Sequence, residues 1–295
     1  MTITAQMVKD LREKTGAGMM DCKAALQEKG GDMEAAVDWL RTKGLAKAAK
    51  KAGRVAAEGL IAIAEGDKRA AMVELNSETD FVSRNAQFQA LAKAVAQAAL
   101  RTNGELESVL AAKIDGGKTV ENAITDAVAT IGENMTLRRT AVLSVDEGVV
   151  ASYVHAAIAP GLGKIGVIVG LKSSGDNAKL SALGRQVAMH VAAASPLAVD
   201  ADRLDAETVA RERSVFAEQA RESGKPENVI EKMVEGRLRK FYEEAVLLKQ
   251  AFVMDTERTV EAVLKDAAKD VGGAVTVTDF VAFRLGEGIQ KEADS

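Results

Sequence analysis

The sequence predicts an α+β fold: a small three-helix N-terminal domain, two related α+β core subdomains, and a protruding antiparallel helical hairpin of coiled-coil type. Three observations lead there. Residues 1–54 show helical periodicity broken by glycines and no strand pattern. A layout of strand hairpin, loop and Ala-rich helix occurs twice, at 59–100 and at 149–192. Residues 201–245 are dense in both charge signs, with sparse apolar residues at helical spacing. The matching divisions are 1–54 for the helical domain and its basic linker, 55–145 for the first core subdomain, 146–200 with 246–295 for the second, and 201–245 for the hairpin.

The elements follow in chain order. Thr4 can cap a helix running to about residue 14, with Val8 and Leu11 on one face. Gly16 and Gly18 break it, and a second helix spans 19–28, ended by Gly30 and Gly31. Asp32 caps a third, whose Val37, Trp39 and Leu40 can pack inward. Residues 41–54 then carry six positive charges and no acid. Six scattered charges without aromatics make a weak nucleic-acid patch, so the run reads as a solvated helix end and interdomain linker. Strands at 59–65 and 69–75 flank the turn Gly66-Asp67 and form a hairpin. A loop covers 76–85. Helices follow at 87–100, with Phe88, Leu91 and Val95 on one face, and at 120–131, with Val120, Ile124 and Val128; a strand follows at 137–145. Strands at 149–155 and 165–171 and a helix at 180–192 repeat the first layout, which suggests duplication as a pattern of organisation. In the hairpin, Val209, Phe216 and Ala220 face Ile230, Val234, Arg237 and Phe241, a seam too narrow for a broad core. Pro226 suits the first turn of its second helix. A helix at 256–269 and a strand at 274–285 complete the chain.

Composition excludes several functions. The chain has 295 residues, 47% hydrophobic and 28% charged, which is ordinary for a soluble protein. Aromatics are only 3%, too few for base-stacking platforms. A formal net charge of −4 offers no global polycation for nucleic acid or membrane. The single Cys22 rules out an intrachain disulfide and a Cys-based zinc site, and with only His155 and His190 a His-rich metal centre is equally disfavoured. The N-terminus lacks an apolar signal region, and no apolar stretch approaches ~18 residues. A reduced cytoplasm is the expected location.

Candidate chemistry is thin. Residues 161–166 match G-x-G-x-x-G, but the segment that follows is a strand, so no helix N-terminus is available for a pyrophosphate. A Gly-rich hairpin loop is the expected reading. No Walker motif occurs. His155 and His190 lack a local nucleophile or carboxylate partner, and a packed structural role is the default for each; Cys22 reads as a small buried residue. No cofactor, metal or catalytic residue is expected. The unusual feature is Thr79-Asp80-Phe81-Val82, which puts two apolar residues beside an acid in a loop. On physics alone Phe81 is expected to tuck back into its own core; the functional alternative is an apolar probe presented with a carboxylate. The same four letters recur at 278–281 inside an alternating strand, where Phe280 simply fills one face.

Several longer motifs carry a resemblance. LREKTGAGMMDCKAAL at 11–26, TDFV at 79–82 followed by Asn85, IGEN at 131–134 with Arg138 and Arg139, EKMVEGR at 231–237 and GEGI at 286–289 are together similar to the bacterial elongation factor Ts family, in that family's order and over nearly the whole chain. The resemblance implies a non-enzymatic guanine-nucleotide exchange factor that binds the GTPase elongation factor Tu in its GDP form, disturbs its magnesium site and lets GTP enter. It implies a ubiquitin-associated-like N-terminal domain and a coiled-coil hairpin, and leaves room for a higher-order complex with the partner. It places Thr79, Asp80, Phe81 and Val82 at the partner's magnesium and nucleotide site. Arg12, Met19, Met20, Ile131, Gly132 and His155 are implied as further partner contacts. Family members often continue past GEGI into another contacting helix, which is not expected in the nine residues that follow Gly286 here.

Overall fold

A computed structural model describes residues 3–15 and 17–290. Three helices come first: α1 (Ala5–Thr15), α2 (Met19–Glu28) and α3 (Met33–Lys51). Thr4 accepts the Met7 N–H at 3.2 Å, and Asp32 accepts that of Ala35 at 2.9 Å, so both expected caps form. Val8, Leu11, Cys22, Ala25, Leu26 and Ala36 make a small closed core, with Val37, Trp39 and Leu40 half-buried against it. Cys22 is buried as anticipated, and burial pushes its thiol pKa up. The break expected at Gly16 lies outside the described residues.

The basic run is a helix end, as expected, with Arg54 in the turn that follows it. Residues 41–51 are the second half of α3, where Ala and Lys are strong helix formers and outweigh the one glycine inside the helix, Gly44. A Cβ at Gly44 would stand 3.1 Å from the Ala129 Cβ, so α3 lies directly on the helix that carries Ala129.

Two sheets follow, packed face to face. The first contains β1 (Glu58–Glu65), β2 (Arg69–Ser77), β3 (Met135–Ser144) and a short strand in the order β3-β2-β1-β5; β4 (Val149–His155), the short β5 (Leu162–Gly163) and β6 (Ile165–Lys172) come next in the chain. The second sheet has the order β4-β6-β9, with β9 spanning Thr276–Arg284. Strand periodicity sorts the side chains. Leu60, Ala62, Ala71, Val73 and Leu75 face helices α4 (Ala86–Ala99), α5 (Leu106–Ala111) and α6 (Val120–Ile131). Ile61, Ala70 and Met72 face Val150, Ile168 and Phe283 of the other sheet. Val167, Val169 and Leu171 face α7 (Asn177–Ala194) and α10 (Val260–Val271). The strands read as continuous apolar runs because both faces are covered.

The repeated layout extends to fine detail. β3 adds to β2, and β9 to β6, each with a bulge: at Glu74/Leu75 in one sheet and Gly170/Leu171 in the other. Gly59 (φ +118°) and Gly148 (φ +102°) occupy matching places, where a Cβ would come within 2.2 Å of the Leu75 carbonyl oxygen and 2.1 Å of that of Leu171. Thr119 and Thr259 cap the helices that precede the third strands.

The Gly-rich run at 161–166 does connect strands, as expected, but it also joins the sheets. β5 pairs with β1, and a Cβ at Gly166 would lie 2.5 Å from Ile61 Cγ2 and 2.7 Å from Met72 Sδ. The glycine spacing is set by sheet-to-sheet contact. Gly166→Ala is therefore expected to cost ~1–3 kcal/mol through overpacking. Urea unfolding measures it, and an unchanged midpoint would show that the sheets part without cost.

Three expectations need correction. Residues 255–259 form strand β8 (Asp255–Thr259) beside β7 (Ala251–Phe252), and α10 starts only at Val260. Thr259 caps it by accepting the Ala262 N–H at 3.2 Å, which leaves the preceding residues extended. Helix α5 has no counterpart in the expected elements; its six residues are too short to show a period. In the helical pair α8 (Ala206–Arg221) and α9 (Glu227–Ala245), the seam residue is Leu238, not Arg237. Ile230, Val234 and Leu238 follow spacing four, while Arg237 reaches sideways to Gln219 and over the Phe216 ring. Pro226 stands at the N-cap of α9, one residue before the helix.

His190 keeps its expected structural role. It is fully buried on α7, bonded through Nε2 to Gln250 Oε1 at 2.8 Å, and its Nδ1 accepts the Val253 N–H at 3.2 Å. Burial lowers its pKa, against a raising contribution from Gln250, which suits a neutral ring with both nitrogens engaged.

Candidate functional site

Thr79–Val82 leaves β2 and enters a single 3₁₀ turn, Asp80–Arg84. Phe81 is 77% exposed, so the expectation that it tucks into its own core is overturned. Val82 takes that place instead: it is buried in the cluster that contains Phe88 and Leu91. Successive side chains in a tight turn cannot all face inward, and here the smaller one does. Asp80 is exposed, and its carboxylate makes no hydrogen bond or ion pair among the described residues. A free anion thus stands beside a free aromatic ring.

The turn is braced on both sides. After it, Ser83 Oγ donates to the Asp80 carbonyl at 2.6 Å, and the Asn85 side chain caps α4 by accepting the Gln87 N–H at 2.8 Å and that of Phe88 at 3.2 Å. Before it, Ser77 Oγ donates to the Thr79 carbonyl at 3.0 Å. The Thr79 N–H donates to Glu133 Oε2 at 2.9 Å and its hydroxyl to Glu133 Oε1 at 2.6 Å. In return Glu78 Oε1 accepts the Asn134 N–H at 2.5 Å. Arg54 lies 3.4 Å from Glu78, and the buried Asn134 amide donates to the Arg54 carbonyl at 2.7 Å. Lys51, at the end of α3, donates to the Gly132 carbonyl.

Of the residues implied as partner contacts, Ile131 and Gly132 lie at this locus. Ile131 ends α6 half-buried, and Gly132 is its exposed left-handed C-cap at φ +92°. The others lie apart. Met19 is 47% and Met20 76% exposed in the first turn of α2, so neither is core, and Arg12 is exposed on α1. His155 is exposed at the end of β4, not packed, with Tyr153 Oη 3.1 Å from its Nδ1. No hydrogen bond or ion pair among the described residues links Arg12, Met19, Met20 or His155 to Thr79–Val82.

Grooves of about 550 and 640 Å³ lie between the N-terminal helices and α6 and beside β9 and α10. Neither is lined by any of residues 79–82. No group of three His, Cys, Asp or Glu side chains among the described residues could hold a metal ion. Phe81 is thus a projecting feature, suited to entering another molecule's surface.

The residues with the strongest local chemistry escaped sequence reasoning. Glu74 is fully buried on β2, bonded to Arg138 at 3.1 Å, Arg139 at 2.5 Å, Asn76 at 3.1 Å and the Gly286 N–H at 2.8 Å. An acid in the middle of an apolar strand was the available signal. Glu133 and Asn134 belong to the quoted IGEN motif, whose letters alone do not show that they hold the loop at 79.

Comparison with known proteins is decisive at the level of family. The family model described as Elongation factor TS matches residues 78–287. The elongation factor Ts of Sinorhizobium medicae is 61% identical over 293 residues, covering 99% of this chain and 95% of that protein. Those of Bartonella henselae and Rhizobium meliloti are 60% and 61% identical over 293 residues, with the same coverage.

Proposed function

The chain belongs to the elongation factor Ts family, and from that premise we propose that it is the guanine-nucleotide exchange factor of elongation factor Tu. The observation that carries the reading is Phe81, 77% exposed on a braced turn beside an unpaired Asp80. The Phe81 ring enters a pocket of the GTPase and holds open a conformation with a disturbed magnesium site. Asp80 brings negative charge near the phosphates and disfavours return of the nucleotide. Magnesium is the largest local charge there, so a small displacement has a large effect.

The action is binding, with no covalent step. Factor and nucleotide weaken each other by one reciprocal coupling free energy, and ~3 kcal/mol suffices for a change of over 100-fold in nucleotide affinity. Arg12, Met19 and Met20 meet the GTPase through the N-terminal helices; Ile131, Gly132 and His155 add contacts from the core. Flexible, exposed methionines suit such an adaptable surface. In this reading 1–54 is a ubiquitin-associated-like module, 55–145 and 146–200 with 246–295 are the core subdomains, and 201–245 is a peripheral coiled coil. The protein works in the cytoplasm, where its partner is found.

The test is direct. Elongation factor Tu loaded with a fluorescent GDP is mixed with catalytic amounts of this protein, and release is followed by stopped flow. Acceleration that saturates with partner concentration is expected. Release at the spontaneous rate would overturn the reading.

A further inference from the structure

We infer that Glu133 is a positioning residue for exchange: its carboxylate holds Thr79 and so keeps the Asp80–Phe81 turn projected; the inference rests on the exchange reading above. Neither residue is assigned that role by the family comparison.

The geometry is that of a reciprocal clasp. Ser77 and Met135 are the last paired residues of β2 and β3. Beyond them the strands part, and two acids cross the gap in opposite directions. Glu133 takes both donors of Thr79, at 2.9 and 2.6 Å, while Glu78 takes the Asn134 N–H at 2.5 Å. Each carboxylate thus accepts a backbone N–H of the other segment, a charge-assisted bond stronger than a neutral one.

The turn needs such a hold. Its 3₁₀ segment is five residues long, and runs beyond 3–4 residues are uncommon because the bonding geometry is poor. An exposed Phe beside an apolar core is also drawn inward, since burial of its ring removes apolar surface from water. Thr79 stands two residues before Phe81, and fixing its N–H and hydroxyl fixes the direction in which the turn starts. A projection held in its bound form loses less entropy on docking. Asn134 then ties the clasp to Arg54, and Lys51 ties the adjacent Gly132, so the end of α3 braces the same point.

The experiment compares Glu133→Ala, Glu133→Gln, Thr79→Val and Thr79→Ser in two readouts, with melting curves alongside. The first is fluorescent GDP release from elongation factor Tu over a range of concentrations. The second is the anisotropy decay of the indole in a Phe81→Trp, Trp39→Phe background, which needs no partner. Glu133→Ala is expected to lower the maximal release rate on the order of tenfold, the effect of losing a charged hydrogen bond. It is also expected to change the motion of the indole. Thr79→Val should do part of this, and Thr79→Ser, which keeps the hydroxyl, should restore both. Thr79→Val added to Glu133→Ala should have little further effect. If Glu133→Ala lowers the melting temperature, the comparison of Thr79→Val with Thr79→Ser decides the matter. Wild-type release and wild-type indole motion in Glu133→Ala would overturn the clasp. If even the wild-type chain releases no GDP, the exchange reading has failed, and the indole motion alone still decides whether Glu133 holds the turn.

Discussion

Phe81→Ala is expected to leave the melting temperature nearly unchanged and to slow catalysed GDP release about ten- to a hundredfold. Both halves follow from exposure. A side chain that is 77% exposed contributes little to the core, and its removal leaves no cavity. The same ring buried in a partner contributes ~1.5–3 kcal/mol, and each 1.4 kcal/mol is about tenfold in rate or affinity. Phe280 is the internal control. It carries the same neighbours in sequence, Asp279 and Val281, but lies half-buried in β9 against the second core. Phe280→Ala should therefore lower the melting temperature and leave exchange by the folded protein intact. Stopped-flow release and thermal melts on both variants separate the outcomes. Early melting of Phe81→Ala with normal exchange by its folded fraction would show that the ring is structural and does not act in the partner's pocket.

Sequence pattern was a good guide wherever one face of an element meets one core. Helices α2 and α6 and strand β4 have the bounds that their glycines, caps and alternation imply. It was a poor guide where a side chain's destination depends on a neighbour distant in the chain. Phe81 and Val82 are both apolar, and only the packing of α4 against β1 and β2 shows that Val82 takes the inward place. His155 looked like an interior strand residue because Val154 precedes it and Ala156 follows. The strand ends there, and its last side chain faces water. Arg237 and Leu238 stand seven and eight residues after Ile230, and a 3.6-residue period does not choose between them; the crossing of α8 does. The Asp80–Phe81 turn was visible as an oddity of composition. Its bracing was not, because Glu133 lies 54 residues from Thr79.

The largest stability effect is expected at Glu74. Its carboxylate is wholly buried, yet Arg138 and Arg139 reach it from β3, Asn76 from its own strand and the Gly286 N–H from the C-terminal segment. Arg138 and Arg139 also bond to Glu287 and Arg284 carbonyls, and the Arg139 guanidinium lies 4.3 Å over the Phe283 ring. One acid thus joins the first sheet to the far end of the chain, which gives the RR and GEGI motifs a shared structural purpose. Burial raises the Glu74 pKa, but the Gly286 N–H, Arg139 and Asn76 outweigh it and the net shift is downward. A carboxyl with a depressed folded pKa stabilises the fold fully above its unfolded pKa, about 4.3, and loses that contribution as pH falls through the lower folded value. Glu74→Gln removes the charge while the two arginines remain. Breaking one partner of a buried pair costs ~3–5 kcal/mol, and the low end applies because Arg138 and Arg139 are 29% and 28% exposed. Urea unfolding at neutral pH is therefore expected to show a loss of ~3 kcal/mol in Glu74→Gln. As pH falls below the unfolded value of about 4.3 the difference from wild type should shrink, because the unfolded carboxyl takes up a proton that the native one still refuses, and it vanishes only once the native carboxyl is protonated as well. A variant as stable as wild type at pH 7, or a difference that grows in acid, would show that the arginines hold the C-terminal segment without Glu74.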